Sequence, residues 1–214
     1  MNRSRGDYVV TLEREVHFAH DHRAALVSQR EVRVEESGRA AWSALAEDPD
    51  LLVIEDIRSG DALLAAVEAA ETGRLAIVSV LAPDVASALE GLVNLVDTDR
   101  QAGLRRVLAK VVRGVVGQVL LKKNGGGRVA ARELALPSPE VAAAIEAGHF
   151  DQLTTAMESG RGAGMVPLAD ALVAFVQSGA VEVREAWRKA PVRPAFVNAL
   201  RREGLDTSFV ERLA

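Results

Sequence analysis

The residues best placed to do chemistry are Glu55, Asp56 and Arg58, at the end of the stretch Asp48-Pro49-Asp50-Leu51-Leu52-Val53-Ile54-Glu55-Asp56-Ile57-Arg58. Four apolar residues run into two adjacent carboxylates and an arginine. A short continuous apolar run is the signature of a strand buried on both faces of a parallel sheet, and ligand chemistry in such sheets gathers at the carboxyl ends of the strands. Acids at that place can ligate Mg²⁺ and orient an attacking water, as nucleotide hydrolysis requires. The companion feature is a Gly-x-x-x-x-Gly-Lys-Ser/Thr loop that cradles phosphates; it occurs nowhere in the 214 residues. The stretch therefore has the character of half a nucleotide site. A solvated strand end is the other reading of Glu55-Asp56, and the residue types alone leave both open.

The elements that must position these groups follow from periodicity and breakers. Tyr8 to Leu12 reads as a short strand, β-branched and aromatic, and Leu26 to Val32 as another short strand. Ser37 to Glu47 reads as a helix stopped by Pro49, Leu51 to Ile54 as the buried strand, and Asp61 to Thr72 as a helix closed by Gly73. Leu75 to Leu81 is a further apolar strand. The order helix, strand, helix, strand predicts crossovers in a parallel sheet. Asp84 to Val96 and Asp99 to Val112 are amphipathic helices. Val115 to Lys122 and Val129 to Leu134 flank Gly125-Gly126-Gly127. No helix follows those glycines directly, so a hairpin turn is favoured over a phosphate cradle. Beyond Pro137 five short helical segments are expected: Pro139 to Ala147, Phe150 to Glu158, Pro167 to Ser178, Val183 to Ala190 and Pro194 to Arg202. Residues 1–136 are thus expected to form an α/β core and residues 137–214 a helical C-terminal portion.

Composition excludes several classes. With aromatics at 4%, the core must be built from Ala, Val and Leu, as suits helices packed on a sheet. A net charge of −4 argues against general nucleic-acid affinity. The absence of cysteine removes disulfides, thiol nucleophiles and thiolate metal sites. No run approaches the about 18–20 apolar residues of a membrane helix, and Met1 to Asp7 lacks the apolar stretch of a signal peptide. A cytoplasmic location is expected. His17, His20 and His22 form an H-x-x-H-x-H cluster in a polar segment, which reads as a loop and not as a metal site.

From about Tyr8 to Ala190 the chain resembles the C-terminal motor domain of type IV pilus retraction ATPases (PilT-type), in the secretion ATPase superfamily. The resemblance rests on Leu26-Val27-Ser28-Gln29-Arg30-Glu31-Val32, Glu47-Asp48-Pro49-Asp50, Ala69-Ala70-Glu71-Thr72-Gly73, Lys122-Lys123-Asn124-Gly125-Gly126-Gly127-Arg128-Val129-Ala130-Ala131 and Gly164-Met165, in the family's order and spacing. It implies a RecA-like P-loop fold, a hexameric ring, ATP with Mg²⁺, and a pilus or secretion machine as the load.

The departures from the family's pattern fall on the chemistry. Where the family's first acidic box reads Glu-Asp-Pro and then a second Glu, Glu13 is kept, while Arg14, Glu15 and His17 take the other places. Where the Walker B run ends Gly-Glu-Met-Arg-Asp, Glu55 stands at the glycine, Asp56 at the catalytic glutamate and Ser59 at the final aspartate; Arg58 persists. Arg74 and Leu81 stand at the family's two box histidines, and Glu140 to Ala147 lacks the polar residues of its Ala-Ile-Arg-Asn-Leu-Ile-Arg-Glu signature. The family's phosphate loop would fall upstream of Met1. The resemblance therefore implies Asp56 and Glu13 as vestigial catalytic candidates and Glu55 and Arg58 as nucleotide contacts. Asp56 is a methylene shorter than glutamate, and an error of about 1 Å can cost about 10²-fold in rate.

The expectation that follows is a RecA-like core lacking the P-loop strand, with a degraded nucleotide site and ATP and Mg²⁺ implied only by the family. Its role would be that of a non-catalytic binding or regulatory partner of pilus or secretion ATPase subunits, in a homo- or hetero-oligomer and at most peripheral to a membrane machine. The alternative is an ATP-hydrolysing subunit of a twitching-motility or secretion motor, completed by a P-loop segment from another chain. Because the P-loop strand of such a fold lies inside its sheet, the strands present must either close up or leave an edge for a partner.

Overall fold

The structure, a computed structural model, describes residues 2–208. These fold as two compact units. The first takes the described residues to Leu81 together with Ala88–Val111; the second joins Ala82–Ser87 to the described residues from Val112 onward.

The first unit is built on four strands: β1 (Tyr8–Glu13), β2 (Leu26–Glu31), β3 (Leu51–Ile54) and β4 (Leu75–Val78). They lie in the order β2-β1-β3-β4, parallel at every pairing. Helices α1 (Ser37–Leu45) and α2 (Gly60–Glu71) precede and follow β3, as a parallel connection demands. Alternation along the strands splits the sheet into two faces. Val10, Leu12, Leu52 and Ile54 are almost wholly buried, with Ala41 and Ala44 of α1 and Ala62, Leu63, Ala65, Ala66 and Ala69 of α2. The alanines let backbones approach closely; a Cβ on buried Gly38 of α1 would lie 2.8 Å from Asp61 Cβ at the start of α2. On the other face Val9, Val27 and Leu51 form a smaller cluster with Ala25.

The four strands are hydrogen-bonded neighbours without an interior gap, leaving β2 and β4 as the sheet's edges. The strand expected over Leu75 to Leu81 stops at Val78. The reason is local: β3 ends at Ile54, Ser79 N–H makes the last ladder bond to Ile54 O (3.0 Å), and beyond it no strand remains to pair with. The first unit is completed by the rest of α3 (Val85–Val93), whose first residues group with the second unit, and by α4 (Thr98–Val111).

The second unit opens with the antiparallel hairpin β5 (Val115–Lys122) and β6 (Arg128–Ala135). Gly125, Gly126 and Gly127 all have positive φ (82°, 104° and 77°), which few other residues tolerate, and they make the turn. Helices α5 (Pro139–Ala147), α6 (Leu153–Ser159), α7 (Leu168–Gln177), α8 (Val183–Lys189) and α9 (Arg193–Arg202) follow. α5 carries both end signals: Ser138 Oγ accepts from Val141 N–H, and Gly148 closes it in the left-handed region. Leu121 and Ala131 of the hairpin pack with Leu168, Leu172, Phe196 and Leu200. Compactness thus groups the hairpin with the helices, while the change from strand to helix along the chain falls at Pro137. The last positions of the expected helical portion, 209–214, lie outside the described residues.

A three-residue tie fastens β1 and β2 to the turn after α1. The Arg30 guanidinium forks onto both Glu47 carboxylate oxygens (2.7 and 2.6 Å), and Tyr8 Oη donates to Glu47 Oε2 (2.7 Å). Arg30 first and Tyr8 second hold the Glu47 carboxyl down at about 2, from an ordinary 4.5. A depressed carboxylate pKa contributes stability above the unfolded-state value that is lost as pH falls through the folded one. Acid unfolding monitored by circular dichroism should therefore lose less stability between 4.5 and about 2 in Glu47→Gln than in the parent chain; equal losses would contradict the tie.

Candidate functional site at the carboxyl ends of the strands

Parallel pairing brings the ends of β1 and β3 side by side. Leu12 is in register with Ile54, and Glu55 N–H donates to Leu12 O (2.9 Å), so Glu13 and Glu55 stand on neighbouring strand ends. Asp56 and Arg58 follow in the loop to α2, and Ser79 closes the row after β4. The structure thus gathers all four candidate residues at one edge of the first unit, as their places in the sequence predict.

Each of their side chains is already engaged. Half-buried Glu13 accepts at Oε1 from both the Thr11 hydroxyl and Gln29 Nε2, the latter at 2.9 Å. Glu55 is exposed and turns back across the strand ends, where Oε2 accepts from Arg14 N–H (2.9 Å). Asp56 sits at φ 47°, a left-handed position that aspartate tolerates better than most residues. Its carboxylate pairs with Arg58 (2.7 Å), and its N–H donates to Ser79 Oγ (2.9 Å). The Asp56 hydrogen bond keeps the Arg58 guanidinium protonated to still higher pH than usual. Ile57 N–H, bonded to Ser79 O (2.8 Å), completes a clasp between the β3 and β4 ends.

The histidine segment is occupied differently at each position. His17 lies 3.9 Å from Glu15, His20 packs edge-on against Phe18, and His22 Nδ1 accepts from Val27 N–H (3.2 Å). Among the described residues no three His, Cys, Asp or Glu side chains converge as a metal would require. The strand-end acids do not offer a free Mg²⁺ donor set either: Asp56 is bonded to Arg58, and Glu13 is followed in the chain by Arg14.

Sequence reasoning missed Thr11, Gln29 and Ser79, the residues that hold Glu13 and Asp56. The signal for the first two was available: Thr11 and Gln29 are in register across β1 and β2, on the same face as Glu13. Ser79 had none, since its role depends on where β4 stops.

Parallel strands in this order, with polar groups gathered at their carboxyl ends, make this an α/β protein containing part of a RecA-like core. The chain belongs to the type II/IV secretion system protein family (T2SSE), which it matches over residues 3–163. It is 31% identical over 198 residues to the type IV pilus retractation ATPase PilT of Pseudomonas aeruginosa, covering 92% of this chain and 58% of that one. It is 28% identical over 193 residues to a twitching motility protein of Neisseria gonorrhoeae, covering 89% of this chain and 52% of the relative. Among solved structures it is similar to the pilus retraction motor PilT with bound ADP: TM-score 0.79 and 26% identity, over 89% of this chain and 54% of the other. The Legionella pneumophila ATPase DotB shares the fold (TM-score 0.72, 22% identity), over 85% of this chain and 50% of that one. The chain spans about half the length of the relatives it matches. Among the described residues no helix is long and apolar enough to cross a membrane.

Proposed function

We propose that this chain is a non-catalytic member of the secretion ATPase superfamily, a cytoplasmic binding or regulatory partner of a pilus or secretion ATPase. The observation that carries this reading is the clasp at Asp56. The residue at the place of the catalytic glutamate is bonded to Arg58 and Ser79, and Glu55 is turned onto the Arg14 amide. Groups that would handle Mg²⁺ and water serve here as ties between strand ends, while the framework motifs, Arg30 and Glu47 among them, keep their structural roles. Removing Arg58 would free a carboxylate but restore neither its reach nor a phosphate cradle.

The test is to titrate the purified chain into an intact PilT-type ATPase, following co-sedimentation and the ATPase rate of the assembly. Binding with a changed rate, the same for the parent chain and Asp56→Asn, is expected. Failure to co-sediment with any pilus or secretion ATPase offered would overturn the partner role.

A second reading has one observation in its favour. β4 is an edge strand whose Leu75 and Ile77, on one face, are 43% and 47% exposed. An apolar edge with open backbone groups is a template for another strand, and a phosphate-binding segment supplied by another chain would find its place there. Under that reading Asp56→Asn abolishes turnover in the completed complex; under the first it changes nothing.

A further inference from the structure

The second unit has an open pocket of about 320 Å³ lined only by polar and charged residues: Lys122, Lys123 and Asn124 from the tip of the β5–β6 hairpin, and Glu182, Arg184, Glu185 and Arg188 from α8 and the residue before it. We propose that it is a binding site for a compact, multiply charged oxyanion of the phosphate class. This assignment is independent of the reading of the strand ends in the first unit.

The pocket's walls are fastened at several points. Asn124 N–H donates to Ala180 O (2.8 Å) and its side-chain amide to Gly179 O (2.9 Å), tying the hairpin tip to the chain just after α7. Lys122 N–H donates to Glu185 Oε1 (3.1 Å), tying the end of β5 to α8. Glu185 is buried, and its carboxylate is also paired with Arg188. The Lys122 amide and Arg188 keep its pKa below the usual carboxylate value, so it is ionised and already spent.

That leaves an excess of positive charge. Four cationic side chains line the pocket against two acids, one of them neutralised by Arg188. Lys122 is also directly opposite Arg128 across the hairpin, a like-charge cross-strand pair that costs stability unless something compensates it. This concentration stands in a chain whose net charge is −4. A cluster of one sign in a concave site raises the local concentration of the opposite ion, and guanidinium groups match the paired oxygens of phosphate.

The lining also limits the ligand. Pockets for drug-sized ligands are about 300–1,000 Å³ and mainly apolar. This one is at the small end and has no apolar or aromatic lining residue, so nothing in it would grip a base, an acyl chain or an apolar peptide side chain. A small inorganic or terminal polyphosphate group is what such a site fits.

Calorimetry with inorganic phosphate, pyrophosphate and tripolyphosphate tests this, with metal-free ATP as the arm that separates a nucleotide's phosphates from an inorganic ion. One site per chain is expected, tightening from phosphate to tripolyphosphate, with ATP bound no more tightly than tripolyphosphate. The double variant Lys123→Glu, Arg184→Glu should weaken binding by about 100-fold, about tenfold per reversed charge. Both positions are exposed, so thermal unfolding should be unchanged; if it is not, Lys123→Gln, Arg184→Gln takes its place. Asp56→Asn should leave the isotherm unaltered, which separates this site from the strand ends. Binding of several ions at one weak affinity, preference for an acidic peptide over tripolyphosphate, or binding that survives the double variant would each overturn the proposal.

Discussion

Replacing Gly60 by alanine is expected to destabilise the first unit by about 2–3 kcal/mol and to lower its melting temperature by about 5–10 °C. A Cβ at this position would lie 2.5 Å from the carbonyl oxygen of Leu95 and 3.3 Å from its carbonyl carbon. Neither neighbour is a flexible side-chain end. The chain after α3 must move, or α2 must shift from the sheet. Gly60 is the first residue of α2 and follows Ser59, whose hydroxyl caps that helix. Any shift therefore passes directly into the Asp56–Ser59 loop. Gly91, inside α3, is the control: a Cβ there meets nothing within 4 Å, so Gly91→Ala should be neutral or stabilising by up to about 1 kcal/mol. Paired thermal and denaturant melts decide the matter. Gly60→Ala as stable as the parent would mean that the close approach of α2 to the Leu95 backbone is not real.

The second large effect is expected at Glu133. This β6 residue is almost fully buried, and Oε2 accepts from Val85 N–H (2.9 Å) at the first turn of α3. Opposite it in the hairpin is Gly117, where a Cβ would lie 3.1 Å from the same oxygen and 3.3 Å from Glu133 Cβ, so a side chain there would press on the carboxylate. Burial pushes the Glu133 carboxyl up from 4.5, the Val85 amide pulls it back, Asp84 adds to the rise, and the Leu168 amide opposes it. Glu133→Ala orphans a buried donor, at about 1–3 kcal/mol, and removes buried volume besides. The pH dependence has a definite sign. A carboxyl whose folded pKa is raised contributes stability that is full below the unfolded value and declines as pH rises through the folded one. The cost of Glu133→Ala should thus be larger at acid pH than near neutrality. A cost that grows toward neutrality would mean that the group is ionised more easily in the fold than outside it.

Most of the fold was legible in the sequence because its signals are local. Leu51–Ile54, β5 and α5 have the bounds that their apolar runs, Pro49, Ser138 and Gly148 indicate. The hairpin turn was readable from three glycines with strand-like flanks and no following helix. What was not legible depends on tertiary register. β4 is shorter than its apolar run because β3 stops first. At the candidate site the sequence placed Glu13, Glu55, Asp56 and Arg58 along the strand ends, but not their partners. Asp56 meets Arg58 only because the chain turns through a left-handed residue, and Glu55 reaches Arg14 only because β1 and β3 pair in parallel. Glu133 and Gly117 lie 16 residues apart in the chain and face each other only once the hairpin register is set.

The central claim is that Asp56 belongs to a structural clasp and not to a catalytic one. It is tested most directly by phosphate release from saturating Mg-ATP, comparing the parent chain with Asp56→Asn, alone and mixed with an intact PilT-type ATPase. Background release is expected for the isolated chain, with indistinguishable rates for parent and variant in the mixture. Turnover that rises above background with the parent chain and disappears with Asp56→Asn would contradict that claim.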